Sequence, residues 1–105
     1  MGYADVYITA KPKEAKKIAK ELVKKKLAAC VNIMPCRSIY SWKGKIFDEK
    51  ERVLIAKTKS SLFKDIEKTV KQLCSYDVPC ILLSRIEKGN LPYLKWIEEE
   101  TKVTS

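Results

Sequence analysis

The side chains here with the most chemical potential are four thiols, Cys30, Cys36, Cys74 and Cys80, in a chain that has no histidine. A thiolate cluster would suit a soft ion such as Cu(I), whereas a hard divalent ion would prefer the carboxylates Asp48, Glu49, Glu51 and Asp77. The lack of histidine removes the commonest transition-metal ligand and the usual near-neutral general base, which works against zinc sites and catalytic triads alike. The cysteines recur as Cys30-x5-Cys36 and Cys74-x5-Cys80. Residues six apart in one extended strand lie about 20 Å from each other, so Cys30 and Cys36 cannot share an ion unless Pro35 folds the strand back. Cys74 and Cys80 flank a turn and can come closer, although buried free thiols are the commoner outcome.

Other residues carry two readings each. Trp42 and Trp96 are packing anchors or ligand platforms, and an interface position satisfies both. Lys57, ending an apolar strand, is a snorkelling lysine or an anion contact in a cleft. Tyr76, in a polar turn before Pro79, is a lid or a loop anchor. The formal charge of +9 is concentrated in the segment from Lys11 to Lys26, where lysines alternate with an apolar stripe. A solvated helix face is the favoured reading over an anionic-partner site. Nucleic acid is not an expected partner, because the strand Val53-Leu54-Ile55-Ala56-Lys57 lacks aromatic rings for base stacking. Thr9-Ala10-Lys11-Pro12-Lys13 has no glycine to form an anion cradle, and no enzymatic activity is expected.

The elements that position these residues follow from periodicity. At 105 residues the chain is read as one domain, 1–105. No apolar run approaches the ~18 residues of a membrane span, and the N-terminus carries no export pattern, so a cytoplasmic protein with reduced thiols and no membrane contact is expected. Tyr3 to Ala10 reads as a strand closing on Lys11-Pro12. Ala15, Ile18, Ala19, Leu22, Val23 and Leu27 form the stripe of a first helix. A second strand runs from Ala28 to Met34 and resumes after Pro35 as Arg37 to Trp42. Lys43-Gly44 makes a turn, and the chain returns through Lys45 to Thr58. Ser60-Ser61 is expected to cap a second helix with its stripe at Leu62, Ile66, Val70 and Leu73. Ser75 to Pro79 forms a loop, Cys80 to Ile86 a strand, and Gly89-Asn90 leads through Pro92 into a short helix, Tyr93 to Ile97. The order βαββαβ plus a terminal helix predicts an α+β, ferredoxin-like sandwich: two helices on one face of a four-stranded antiparallel sheet. Arms of about 14 residues reach some 46 Å, against about 34 Å for a compact domain of this size. The hairpin tip, with Tyr40, Trp42 and Phe47, should therefore overhang and pack on another copy of the chain.

Several segments in order together resemble the CutA family of divalent-cation tolerance proteins. They are Leu27-Ala28-Ala29-Cys30-Val31-Asn32, Ser38-Ile39-Tyr40-Ser41-Trp42-Lys43-Gly44, Glu51 ahead of Val53-Leu54-Ile55-Ala56-Lys57-Thr58, Tyr76-Asp77-Val78-Pro79 and Tyr93-Leu94-Lys95-Trp96-Ile97. The resemblance implies a homotrimer in which the hairpin extends a neighbour's sheet, shaped like the PII signalling proteins, with ligand clefts between subunits. It also implies tolerance of copper and other divalent ions, with a bound metal ion and no organic cofactor. Carried over by position, the cleft comprises Cys30, Tyr40, Trp42, Glu51, Lys57, Tyr76, Asp77 and Trp96. Where the family reads His before Tyr-Glu-Val-Pro-Glu, this chain has Cys74, and the two acidic positions become Asp77 and Cys80. The set becomes softer, with Cys30, Cys74 and Cys80 as candidate ligands for Cu(I) or Zn(II). The expected function is a non-catalytic metal-binding trimer. The alternative is a PII-like module that binds a small anionic ligand in the cleft through Lys57 and Arg37.

Overall fold

Alternation along Tyr3–Ala10 (β1) sends Ala4, Val6, Ile8 and Ala10 to one side of the strand, and all four are fully buried. The computed structural model describes residues 2–103. After β1 come α1 (Pro12–Lys24), β2 (Cys30–Trp42) and β3 (Lys45–Lys59). A 3-10 turn over Ser60–Leu62 leads into α2 (Phe63–Leu73), β4 (Ile81–Ile86) and α3 (Leu91–Glu100). The four strands form one sheet in the order β2-β3-β1-β4, with every neighbouring pair antiparallel.

Helices α1 and α2 cover one face of this sheet. Ala15, Ile18, Ala19 and Leu22 of α1 join Ile66 and Val70 of α2 over Val6, Ile8, Leu54 and Ala56, forming the core. Burying a Leu or Ile side chain stabilises by roughly 1.5–3 kcal/mol, so this layer fixes the sheet that carries the site. Val23, expected in the α1 stripe, is instead 44% exposed, because the helix ends one residue later and Lys26 turns the chain with φ of 59°. Thr58 donates a hydrogen bond to the Leu27 carbonyl (2.6 Å), joining the α1–β2 connection to β3.

Two local expectations are corrected. Pro35 does not interrupt β2: the strand runs unbroken from Cys30 to Trp42, with Pro35 opposite Arg52. Strand β2 lies at the edge of the sheet, where every second N–H faces outward and a residue lacking one forfeits no ladder bond. The serines do not cap α2. Strand β3 continues to Lys59, the 3-10 turn uses Ser60–Leu62, and Leu62 occupies the N-cap position with no side-chain cap.

The hairpin overhangs as expected. Strand β1 ends at Ala10, opposite Arg52, so the rungs from Cys36↔Glu51 to Trp42↔Lys45 have no third strand beside them. They stretch the molecule to 44 × 26 × 20 Å. Lys43 (φ 50°) and Gly44 (φ 78°) close the ribbon in a two-residue turn with both residues left-handed, a conformation that glycine adopts without strain.

Candidate functional site

The face of the sheet away from α1 and α2 carries the other half of each strand's alternation. Its cross-strand rows are Cys30, Lys57, Asp5 and Ser84, then Asn32, Ile55, Tyr7 and Leu82, then Met34, Val53 and Thr9. Past the end of β1, the same face of the ribbon shows Cys36 opposite Glu51 and Tyr40 opposite Phe47. Helix α3 holds one end of this face through Glu98, which accepts from the Tyr3 hydroxyl (3.0 Å) and pairs with the buried Lys59 ammonium (3.3 Å). These two donors hold the Glu98 carboxyl below the usual carboxylate range, Tyr3 contributing most.

At the other end, the loop between α2 and β4 folds against the base of the ribbon. There Glu51 is only 6% exposed and accepts a hydrogen bond from the Tyr76 hydroxyl (2.5 Å). Burial, and then the bond to Glu51, push the Tyr76 phenol well above its ordinary range. The Lys11 ammonium lies 5.7 Å from the centre of its ring. Tyr76 is thus a loop anchor, packed on the core and fixed to a buried carboxylate. Tyr40 stacks on Phe47 at 5.5 Å and donates to Glu49, and that bond is the main reason its phenol is pushed up to about 12. Both phenols stay protonated at neutral pH and act as donors.

Around this pair lies a cavity of about 500 Å³, within the size range of small-molecule sites. Tyr40, Trp42, Glu51, Tyr76, Asp77 and Cys80 all line it. Thr9 and Ser38 line it as well. Neither was among the sequence candidates, although the alternation of β1 and β2 puts both on this face.

The remaining candidates lie elsewhere in the chain. Cys74 is buried in the core, where desolvation pushes its thiol up. Cys30 sits on the row of Lys57 and Asp5, four residues along β1 from Thr9, or about 13 Å. Lys57 donates to the Asn32 side chain (2.8 Å) and lies 4.0 Å from Asp5, while Trp96 contacts Tyr93 at 5.4 Å on α3. Arg37 projects from the opposite face of the ribbon and holds Asp48 through two bonds of 2.6 and 3.1 Å. All four cysteines are free thiols, and among the described residues no three His, Cys, Asp or Glu side chains gather as a metal ligand set. The chain therefore places the Glu51–Tyr76 group and the Cys30–Lys57 row at opposite ends of the open face, with Trp96 beside Tyr93 on α3.

Residues 5–100 match the family described as CutA1 divalent ion tolerance protein. The chain belongs to the CutA family. It is 47% identical over 95 residues to the divalent-cation tolerance protein CutA of Archaeoglobus fulgidus, covering 90% of this chain and 93% of that one. It is 43% identical over 94 residues to protein CutA of Homo sapiens, covering 89% of this chain and 52% of the human one, so it spans about half that relative's length. The crystal structure of CutA1 from Oryza sativa superposes with a TM-score of 0.95 at 38% identity, covering 99% of this chain and 97% of that one. A crystal structure of CutA from Archaeoglobus fulgidus gives 0.92 at 44% identity, covering 95% and 99%. The ferredoxin-like arrangement is thus the CutA fold, and CutA is a divalent-cation tolerance family, not a known enzyme family.

Proposed function

We propose that this CutA-family chain works as a non-catalytic homotrimer that binds a metal ion, copper or another divalent cation, in clefts between subunits and so contributes to metal tolerance. The observation that carries this reading is the buried Glu51 carboxylate, held by Tyr76 at the wall of a cavity that also presents Asp77 and Cys80. A buried carboxylate facing a cavity is costly without a partner, and a cation is the partner its charge favours. Oxygen and sulfur donors together suit Cu(II) or Zn(II), and more thiolate would shift the preference to Cu(I).

Among the described residues one chain alone falls short of a ligand set, so the metal reading and the trimer reading stand together. The ribbon reaches beyond its own sheet, while the open face leaves Tyr7, Met34 and Leu82 uncovered at 40, 40 and 60% exposure. A neighbour's ribbon is the occupant that both features suit, and its arrival would bring the Cys30 end of one subunit toward the Glu51 end of another. The anionic-ligand alternative has less support, since Lys57 and Arg37 point to different faces and each already holds a carboxylate or an amide.

Light scattering is expected to give three times the chain mass, and calorimetric titration with Cu(I), Cu(II) and Zn(II) to give micromolar binding that Glu51→Gln weakens. A monomer, or a trimer with no heat from any of the three ions, overturns the reading. A nucleotide panel titrated in the same way tests the alternative.

A further inference from the structure

A second recess lies between the end of α1, α2 and the segment after α3. It encloses about 420 Å³, again within the range of small-molecule sites. Three separate stretches of chain build it: the end of α1 with Lys25 and Leu27, the outer turns of α2 with Asp65, Lys68, Thr69 and Gln72, and Lys102 after α3. The tail is held there by its backbone, since the Lys102 N–H donates to the Lys26 carbonyl (2.8 Å). Leu27 and Thr69 are nearly fully buried and form the floor, and the charged groups form the rim.

The charge of this rim is unbalanced. Three ammonium groups meet one carboxylate, and that carboxylate, Asp65, already pairs with Lys102 at 3.2 Å. Lys25 and Lys68 have no acidic partner among the described residues. Elsewhere on α2 the pattern is different, because Lys71 is matched by Glu67 one turn earlier at 3.2 Å. Lys25 and Lys68 are exposed like the lysines of α1, but they stand around one recess whose floor pairs Leu27 with Thr69. Lysine is a point charge with three rotatable donors, suited to phosphoryl oxygens whose positions it need not match in a fixed fork. Thr69 and Gln72 add a hydroxyl and an amide as further hydrogen-bonding groups.

We propose that this recess is a binding site for a small soluble anion carrying two or more phosphoryl groups, held by Lys25 and Lys68 with Lys102 swinging between the ligand and Asp65. The volume exceeds what one phosphate needs, and the concave shape suits a compact ligand better than a flat bilayer. The site is independent of the Glu51 cavity and of the metal reading.

Inorganic tripolyphosphate is the probe, titrated into the unaltered protein at low salt, with vesicles containing phosphatidylglycerol as a separate arm. Binding is expected to weaken about ten-fold on Lys25→Gln or Lys68→Gln, the loss of one charge-assisted contact. Lys13→Gln removes the same charge from the far end of α1, about 18 Å away, and should change affinity little. Asp65→Asn should tighten binding by freeing Lys102. Backbone amide shifts on titration should centre on Leu27, Thr69 and Gln72. The proposal is overturned by no binding to the unaltered protein, by equal losses in all three lysine variants, or by binding to vesicles alone. Circular dichroism of each variant confirms that the fold is kept, and the amide shifts of the unaltered protein decide the matter if a variant does not fold.

Discussion

The Tyr76 hydroxyl donates to the Glu51 carboxylate, so a loop that follows α2 is fastened to the point where β3 leaves the sheet and becomes a free ribbon. One bond thereby holds the cavity wall and the root of the hairpin in a single arrangement. It is also the bond whose loss is easiest to read.

Tyr76→Phe removes this donor and leaves a buried carboxylate without it, a cost of about 1–3 kcal/mol. Chemical denaturation should show it as a lower midpoint with an unchanged slope. The pH dependence has a definite sign. The Tyr76 phenol is raised in the folded state, so its contribution is present below the ordinary tyrosine value of 10.0 and is lost as pH rises above it. Stability of the unaltered protein should fall above about pH 10, and less steeply in Tyr76→Phe. Equal slopes would mean that the bond does not persist in solution.

Alkylation should sort the thiols. Cys74 is buried and its thiol is pushed up, so at mildly alkaline pH it should resist iodoacetamide until the protein unfolds. Cys80, half-buried at the cavity, should react earlier unless a metal ion protects it. Peptide mass spectrometry over a time course reads both, and early labelling of Cys74 would contradict the packing described.

Thr58→Val exchanges a hydroxyl for a methyl group at a fully buried position and strands the Leu27 carbonyl. The expected loss is about 1–3 kcal/mol, measurable by thermal or denaturant unfolding. Little change would show that another donor, such as water, reaches that carbonyl.

Glu98 gives the acid side its own signature. Its carboxyl is held low by Tyr3 and then Lys59, so the stability it contributes is present above the ordinary value of 4.5 and is lost as pH falls below it. Near-ultraviolet circular dichroism of Trp96 and Tyr93 should report loosening of α3 in that range, and Glu98→Gln should show it already at neutral pH. A pH-independent α3 signal would refute the assignment.

Leu82→Glu places a charge on the uncovered part of the open face. If copies of the chain assemble there, light scattering should show a shift toward monomer while the helix content is retained. An unchanged mass would move the assembly surface elsewhere.

Much of this architecture was legible in the residues themselves. The β1 alternation, most of the helix stripes and the Lys43-Gly44 turn are local patterns, and those elements formed where their periods placed them, with Val23 falling outside the α1 stripe and Leu27 beyond its helix. The errors came from rules that depend on surroundings. Pro35 breaks a central strand but not an edge strand, and which of the two β2 is depends on the rest of the sheet. Two serines ahead of an apolar stripe suggest a cap, yet β3 runs too far to leave the chain in a capping conformation. Of the eight residues that family resemblance put in one cleft, the structure gathers Tyr40, Trp42, Glu51, Tyr76 and Asp77 around one cavity, together with Cys80. It separates Cys30 and Lys57 from them because strand register fixes distance along the sheet, and no single residue type reveals register, while Trp96 lies on α3.

The ribbon beyond Arg52 also bears on the order in which the molecule forms. Its partners are close in sequence, from Trp42 with Lys45 out to Cys36 with Glu51, so it can zip from its turn on the microsecond scale of a hairpin. The sheet at its root must wait for β1 to meet β3 and β4 across long stretches of chain, and closing such loops is slower. The arm furthest from the core is therefore free to take shape first, with its aromatic face ready before the body that will hold it.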